Sequence, residues 1–416
     1  MSQRLPLRAR TALLAARTAA WASQRAGRGK GSMIGGLVAL KIEPDLMAAL
    51  AAGRRTAVVT GTNGKSTTTR MTATALATLG EDVATQADGA NMDAGIVAAL
   101  TAHQAAPLAA LEVDELHVPH VLDAVHAEAL VLLNLSRDQL DRVGEINMIE
   151  RKQRAAVAAH PGTTVIANCD DVLVTSVAYD AKKVVWVAAG AGWTSDSTSC
   201  PRSGEPIVRD GDDWYSTGAD FRRPRPDWWV DDENLYGPEG LVLPMKLALP
   251  GRANRGNAAQ AVAAAVAMGA DPRAAALAVG TVGEVAGRYA HVQVGDHSVR
   301  MLLAKNPAGW QEAMSMIDGS AGGLVIAVNG QVPDGEDLSW LWDVQFERFE
   351  NGKVVASGER GADLAVRLTY AGADHTLVSD PLAAIASCPP GRVEVLANYT
   401  AFRDLGRALE ARGAAQ

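Results

Sequence analysis

The residues whose types and spacing best suit chemistry are Gly61, Thr62, Asn63, Gly64, Lys65, Ser66 and Thr67. They follow a short apolar run, 57–60, and open a segment of helical period, 67–79, that closes at Gly80. Strand, glycine-rich turn and helix N-terminus in that order suit a phosphate group. Successive backbone N–H groups wrap its oxygens and the helix dipole adds to their field. Gly61 and Gly64 let the backbone come close. Lys65 would neutralise β/γ-phosphate charge, and the Ser66 hydroxyl would reach Mg²⁺. Only Thr62 and Asn63 stand between the glycines, fewer than in the general phosphate loop, so a tight turn with an incidental lysine is the competing reading.

Such a loop needs a sheet behind it. Apolar runs at 57–60, 109–113, 129–135, 163–168 and 184–187 alternate with helical stretches, which predicts a parallel sheet with right-handed crossovers. Residues 190–240, rich in Gly, Ser, Asp, Pro and Trp, read as an insertion or small irregular subdomain. An alanine-rich helix over 257–268 follows, closed by Gly269. A second alternating segment carries expected strands at 291–294, 324–328, 364–368 and 393–396. The predicted class is α/β, with a basic helical segment over 1–45, a nucleotide-binding domain over 46–285 and a second α/β domain over 286–416.

At 416 residues the chain exceeds one ordinary core. Its 48% hydrophobic and 21% charged residues fit a soluble globular protein, and a net charge of −8 argues against nucleic acid as a partner. Cys169, Cys200 and Cys388 are odd in number and widely spaced, which fits a reducing cytoplasm better than a disulfide framework. No apolar run is long enough to span a membrane. Residues 1–42 hold Arg4, Arg8, Arg10, Arg17, Arg25, Arg28, Lys30 and Lys41 and no acid. They read as a basic helix packed on the rest of the protein, with a weak contact to an anionic membrane surface as the alternative.

The string Thr60-Gly61-Thr62-Asn63-Gly64-Lys65-Ser66 resembles that of the Mur ligases and folylpolyglutamate synthases, which activate a carboxylate as an acyl phosphate for attack by an amine. Further segments match the family in order. Glu112 falls where the family places a Mg²⁺-binding glutamate. Residues 134–142, with Asp138, Gln139 and Asp141, resemble an Asn-x-x-x-Asp-His-x-Asp segment. Asn168-Cys169-Asp170-Asp171 resembles an Asn-x-Asp-Asp turn, and residues 250–257, with Asn254 and Asn257, a segment that meets adenine. The narrower resemblance is to the MurT-type synthetase subunits of lipid II isoglutaminyl synthase. It rests on Gly89-Ala90-Asn91-Met92, Glu112-Val113-Asp114-Glu115, Asp138-Gln139-Leu140-Asp141, residues 303–309, residues 334–343 and Asn398-Tyr399-Thr400.

This resemblance implies ATP-dependent, glutamine-dependent amidation of a D-glutamate α-carboxylate in the lipid II stem peptide, as part of peptidoglycan synthesis. It implies ATP and Mg²⁺ as cofactors, with Lys65 and Glu112 catalytic, and Asp138, Gln139 and a carbamylated Lys152 as weaker metal candidates. Gln139 stands where the Mur ligases have a histidine, which puts a second Mg²⁺ in doubt, since a neutral amide is a poorer ligand than a carboxylate. Relatives often carry a four-cysteine zinc ribbon; here only Cys200 is left of it, so no zinc is expected. Nothing in the chain resembles a glutaminase, so the resemblance implies a heterodimer with a separate GatD-type glutaminase, whose triad Asp337 would complete. Bland readings stand beside these: Glu112 as a solvent-facing residue past a strand, Asp138 and Asp141 as helix caps, Lys152 as part of a solvated face, Asp337 as a turn residue. Two other functions compete, a Mur or folate-type ligase that adds an amino acid, and a nucleotide-binding scaffold without catalysis.

Overall fold

The computed structural model describes residues 5–25, 32–86, 90–137, 143–283, 289–335, 337–349 and 353–413. The chain divides into two compact units, Met1–Leu135 with Gly144–Gly283, and Ser136–Val143 with Glu284–Gln416.

The first unit opens with helices α1 (Leu7–Arg25), α2 (Ser32–Ile42) and α3 (Leu46–Ala51). An α/β succession follows: β1 (Arg55–Thr60), α4 (Lys65–Leu76), β2 (Val83–Thr85), α5 (Asp93–Ala102), β3 (Leu108–Glu112), α6 (Val118–Val125), β4 (Ala129–Leu132), α7 (Val143–Ala159), β5 (Thr164–Asn168), α8 (Val172–Ala178) and β6 (Val184–Ala188). Then come β7 (Ile207–Asp210), β8 (Asp213–Ser216), β9 (Trp228–Val230), β10 (Asn234–Gly237), β11 (Leu241–Pro244), α9 (Arg252–Ala267) and α10 (Pro272–Gly280). Nine strands form one sheet in the order β11-β10-β9-β6-β5-β4-β1-β3-β2. From β2 to β9 every neighbour is parallel, while β10 and β11 are added antiparallel. β3 and β4 are buried throughout, and so is β1 beyond Arg55, because helices cover both faces of a parallel sheet. That is why these strands read as unbroken apolar runs.

Strand order decides where a ligand can sit. From β1 the chain builds β3 on one side, then crosses to build β4 on the other. The carboxyl end of β1 therefore opens at the topological switch point, where crossover helices part and leave a crevice.

Residues 190–240 hold more order than their composition suggests. β7 and β8 make a hairpin on Gly211 at φ +60°, and β9 and β10 join the main sheet. These strands are only three or four residues long, too short to show period two among Gly, Pro and Asp. The hairpin is pinned by a cluster of Val172, Cys200, Trp214 and Phe221 and by the Trp214 Nε1–H bond to the Cys169 carbonyl at 3.0 Å.

The second unit contains β12 (Tyr289–Val294), β13 (His297–Leu303), α11 (Pro307–Ser315), β14 (Gly323–Ala327), β15 (Val354–Ser357), α12 (Gly361–Tyr370), β16 (His375–Leu377), α13 (Pro381–Ala386), β17 (Gly391–Ala397) and α14 (Tyr399–Gly413). Its sheet runs β12-β13-β17-β14-β15-β16, parallel except for β12. The α/β class expected from the sequence is the class observed. The expected strand at 364–368 is instead part of α12, whose buried residues Gly361, Leu364, Arg367 and Leu368 recur at helical spacing. Five residues of Leu-Ala-Val-Arg-Leu fit either period, and only the neighbours decide.

α9 reaches the sheet because Gly256 has no side chain: a Cβ there would lie 2.1 Å from the Ala189 carbonyl oxygen. Gly256→Ala is expected to destabilise the protein by about 1–3 kcal/mol, since backbone must move to admit the methyl group. A fall of roughly 2–4 °C in Tm per kcal/mol, read by thermal denaturation, checks this, and an unchanged Tm refutes the contact.

Candidate active site

β1 ends at Thr60, and the chain turns at once through Gly61 at φ +142° and Gly64 at φ +86° before α4 begins at Lys65. The turn cannot take a side chain at Gly61. A Cβ there would lie 2.8 Å from Leu133 Cβ and 3.0 Å from the Asn134 backbone nitrogen. Asn134 then clamps the loop. Its carbonyl accepts from Thr62 N–H at 2.9 Å, its Oδ1 accepts from Asn63 N–H at 2.9 Å, and its Nδ2 donates to the Asn63 carbonyl at 3.0 Å. From the other side Asn257 packs on Gly64, where a Cβ would come within 2.8 Å of Asn257 Oδ1. Asn254 and Asn257, both buried at the start of α9, are linked to each other, and Asn254 donates to the Pro250 carbonyl at 2.6 Å.

Lys65 is buried. Its Nζ donates to the Gly61 carbonyl at 2.6 Å, to the Thr62 carbonyl at 3.3 Å and to Glu115 Oε2 at 3.1 Å. An ammonium has three donors, so the charge is held over the mouth of the loop by three directed contacts. Ser66 and Thr67 continue into α4, with Ser66 half-buried and Thr67 buried.

Glu112 is the last residue of β3, in register with Val59, two residues before the loop. Gln86 fixes it, accepting from Glu112 N–H at 3.0 Å and donating to its carbonyl at 2.7 Å. The residue is only 4% exposed, so it is not the solvent-facing residue of the bland reading. Among the described residues no cation is ion-paired with its carboxylate. A buried carboxylate is unfavourable unless a cation or a metal meets it, which is the chemistry a Mg²⁺ would satisfy here. Glu115, three residues on, is steadied by Gln153, whose Nε2 donates to the Glu115 carbonyl at 3.1 Å. Sequence reasoning assigned no role to Gln86, Glu115 or Gln153. Only Glu115 left a trace, as the end of the Glu-Val-Asp-Glu string.

The other sequence candidates divide. Asp138, Gln139 and Asp141 lie outside the described residues. Lys152 is exposed on α7, whose buried side carries Glu150, Gln153, Ala156 and Val157, and it makes no hydrogen bond or ion pair with the loop. Cys200 is buried in the Trp214–Phe221 cluster, and among the described residues no three His, Cys, Asp or Glu side chains converge as metal ligands. Asn168 and Asp171 serve the scaffold. Asn168 Nδ2 donates to the Leu133 and Gly190 carbonyls. Asp171 caps α8 and also accepts from Leu135 N–H at 3.0 Å. Burial lifts its carboxyl to about 6, opposed by these N–H donors and by Arg209. In the second unit Asp337 is exposed and its Oδ1 accepts from Ser339 N–H at 2.8 Å. Hydrogen bonds from the Ser339 backbone and side chain hold that carboxylate below its usual range. A carboxylate has about four lone-pair sites, so acceptor capacity remains toward solvent.

A parallel sheet with a glycine-lysine loop at its switch point and a buried carboxylate beside it is an arrangement suited to a phosphate group and a divalent cation. Two family models match, Mur ligase middle domain over residues 59–265 and MurT ligase C-terminal over residues 303–402. The chain is 29% identical to subunit MurT of the glutamine-hydrolyzing lipid II isoglutaminyl synthase of Streptococcus pneumoniae, over 96% of each chain. It is 27% identical to the same subunit of Staphylococcus aureus over 87% of each. Among solved structures, a pseudomurein peptide ligase type C from Methanothermus fervidus superposes with TM-score 0.67 at 17% identity, covering 86% of this chain and 79% of the other. MurF from Acinetobacter baumannii does so at 0.65 and 16%, covering 90% and 80%; both likenesses speak to the fold. The chain belongs to the Mur ligase family and is of the MurT type, joining a Mur ligase middle domain to a MurT C-terminal domain.

Asn134→Ala removes both side-chain bonds that hold Asn63. It is expected to weaken binding of a non-hydrolysable ATP analogue roughly tenfold to a hundredfold, with Tm lowered by only a few degrees. Calorimetric titration measures this; unaltered affinity would show that the clamp does not shape the loop for its ligand.

Proposed function

We propose that the chain is the synthetase subunit of a glutamine-dependent enzyme that amidates the α-carboxylate of D-glutamate in the lipid II stem peptide, giving D-isoglutamine for peptidoglycan. The observation that carries the reading is Glu112, a buried carboxylate set in register beside the strand that ends in the phosphate loop. The family as a whole is ATP-dependent and uses Mg²⁺, and the relatives named above are described as subunits of a lipid II isoglutaminyl synthase.

Amidation of a carboxylate by ammonia is uphill in water. Transfer of the ATP γ-phosphoryl group to the carboxylate supplies a good leaving group. Ammonia then attacks the acyl carbon, the C–N bond forms, the C–O bond to phosphate breaks, and the nitrogen sheds a proton. The N–H groups at 64–66, which Asn134 leaves free, orient the phosphates, and Lys65 offsets charge that builds on the transferring group. Glu115 holds the Lys65 ammonium in place between turnovers. Asn254 and Asn257 would face the nucleotide from α9. Ser66 and Glu112 would hold Mg²⁺, which when bound adds positive charge at the transferring phosphoryl group. Zinc has no part in this scheme, and Lys152 is at most a distant support for the metal.

Free ammonia is scarce at neutral pH, so the nitrogen source is a GatD-type glutaminase subunit in a heterodimer. Asp337 completes that subunit's triad, orienting its histidine and balancing the imidazolium charge. Co-expression with a candidate glutaminase, followed by mass spectrometry of lipid II, tests the whole reading. The carboxyl-to-amide mass change should appear with the wild-type chain and be absent with Lys65→Ala; amidation unaffected by Lys65→Ala would sink the assignment of the loop.

Asp337→Asn should lower glutamine-dependent amidation by as much as ~10⁴-fold, as loss of a triad carboxylate does elsewhere. ATP binding and heterodimer formation should persist, and free ammonia at high pH should restore amidation. Glu112→Gln should instead block the reaction with either nitrogen source. Equal loss of both rates in Asp337→Asn would make Asp337 a structural residue.

A further inference from the structure

The first helix hairpin exposes an aligned set of large apolar side chains. On α1, Leu7, Leu14 and Trp21 are 76%, 63% and 57% exposed. They stand seven residues apart, two helical turns, and so form one line along the helix. The opposite side, Ala9, Ala12, Leu13 and Ala16, is buried in the core. α2 packs between α1 and α5 through two glycines. A Cβ at Gly35 would meet the Ala16 carbonyl oxygen at 2.9 Å, and one at Gly36 the Ala94 carbonyl oxygen at 2.1 Å. This leaves Met33, Ile34 and Leu37 of α2 exposed as well. Single exposed leucines are ordinary, but an aligned stripe on one hairpin is not.

Charge identifies what would cover the stripe. The segment up to Lys41 contains only cations, in a chain whose net charge is −8. Arg8 is used internally, donating to the Ile42 carbonyl at 2.8 Å. Arg10 and Arg17 are exposed beside the stripe and carry no ion pair among the described residues. The Arg25 guanidinium lies 5.0 Å from the Trp21 ring centroid, with Trp21 itself half-exposed. Among the described residues no helix is long and apolar enough to cross a membrane. A line of Leu and Trp edged by arginines is the pattern of a helix lying in the headgroup layer: the rings and leucines enter the acyl boundary while guanidinium groups reach the phosphates.

We propose that the α1–α2 face docks this protein on an anionic lipid bilayer, with Leu14 and Trp21 inserted and Arg10 and Arg17 on the phosphates. The inference goes beyond amidation and does not rest on it. The test is flotation of the full chain, with its glutaminase subunit where the two purify together. One set of vesicles is pure phosphatidylcholine and the other contains about 30% phosphatidylglycerol. The chain should float with the anionic vesicles, much less with the neutral ones, and less again at raised salt. Leu14→Ser with Trp21→Ser should lower partitioning at least about tenfold. Arg10→Gln with Arg17→Gln should lower it roughly fivefold per cation removed. Tm and ATP affinity should stay unchanged in both, because all four side chains are exposed. Three results would overturn the proposal: no flotation of the wild type, equal flotation with neutral vesicles, or full flotation of Leu14→Ser/Trp21→Ser. Light scattering on the same samples adds a fourth, since loss of a dimer or of the glutaminase subunit in that variant would make the face a protein interface.

Discussion

Two backbones meet at the end of the sheet, and the rest of the site depends on that meeting. β1 and β4 are parallel neighbours, and the turn after β1 runs against the residues that follow β4 so closely that only glycine fits at position 61. Asn134 can then reach both ways into the loop, as acceptor and as donor. The course of the loop, and with it the N–H groups at 64–66 that Asn134 leaves free, is preorganised by a residue seventy positions away. Each such bond adds about 1 kcal/mol net to stability; its larger effect is to fix the backbone of the turn before any ligand arrives.

The electrostatics follow from the same approach. Glu112, Lys65 and Glu115 are gathered at the carboxyl ends of β1 and β3, where crossover helices shut out most of the water. The Lys65 and Glu115 side chains are 10% and 12% exposed. A pair that buried is weak evidence for stability, because desolvation offsets most of the attraction. Its value lies in placing an ammonium over the loop. Glu112, without such a partner among the described residues, is the group with most to gain from a divalent cation.

Several residues that mark the family in the sequence do no chemistry that the structure displays. Asn168 ties strand ends together, Asp171 caps α8, and Asn306 caps α11 by accepting from Gly309 N–H at 2.8 Å. In the second unit Asn398 exchanges bonds with the Asn329 backbone, and Asp334 accepts from Thr400 N–H at 2.9 Å. These polar side chains close turns at the carboxyl ends of strands, where a wrong bond would misplace the loops that follow. Asp337, three residues on from Asp334 in the sequence, differs from them in being exposed.

The sequence alone determined the strand, glycine turn and helix start around Lys65, because glycines, lysine and the apolar run before them are contiguous and local geometry suffices to interpret them. It likewise determined the central parallel strands, whose burial on both faces leaves unbroken apolar runs. It did not determine β15, β16 or the short strands of 190–240, nor could it tell α12 from a strand, since a few residues fit both periods until neighbours are known. For the site, Glu112 was legible as a residue type at a strand end, but its burial was not. Gln86, Glu115, Asn134 and Gln153 became site residues only through tertiary structure. Their partners lie 26 to 71 positions away, or 50 for the Lys65–Glu115 pair. Contacts at such separations are set by which strands lie side by side, and strand order is a property of the folded sheet that no local pattern encodes.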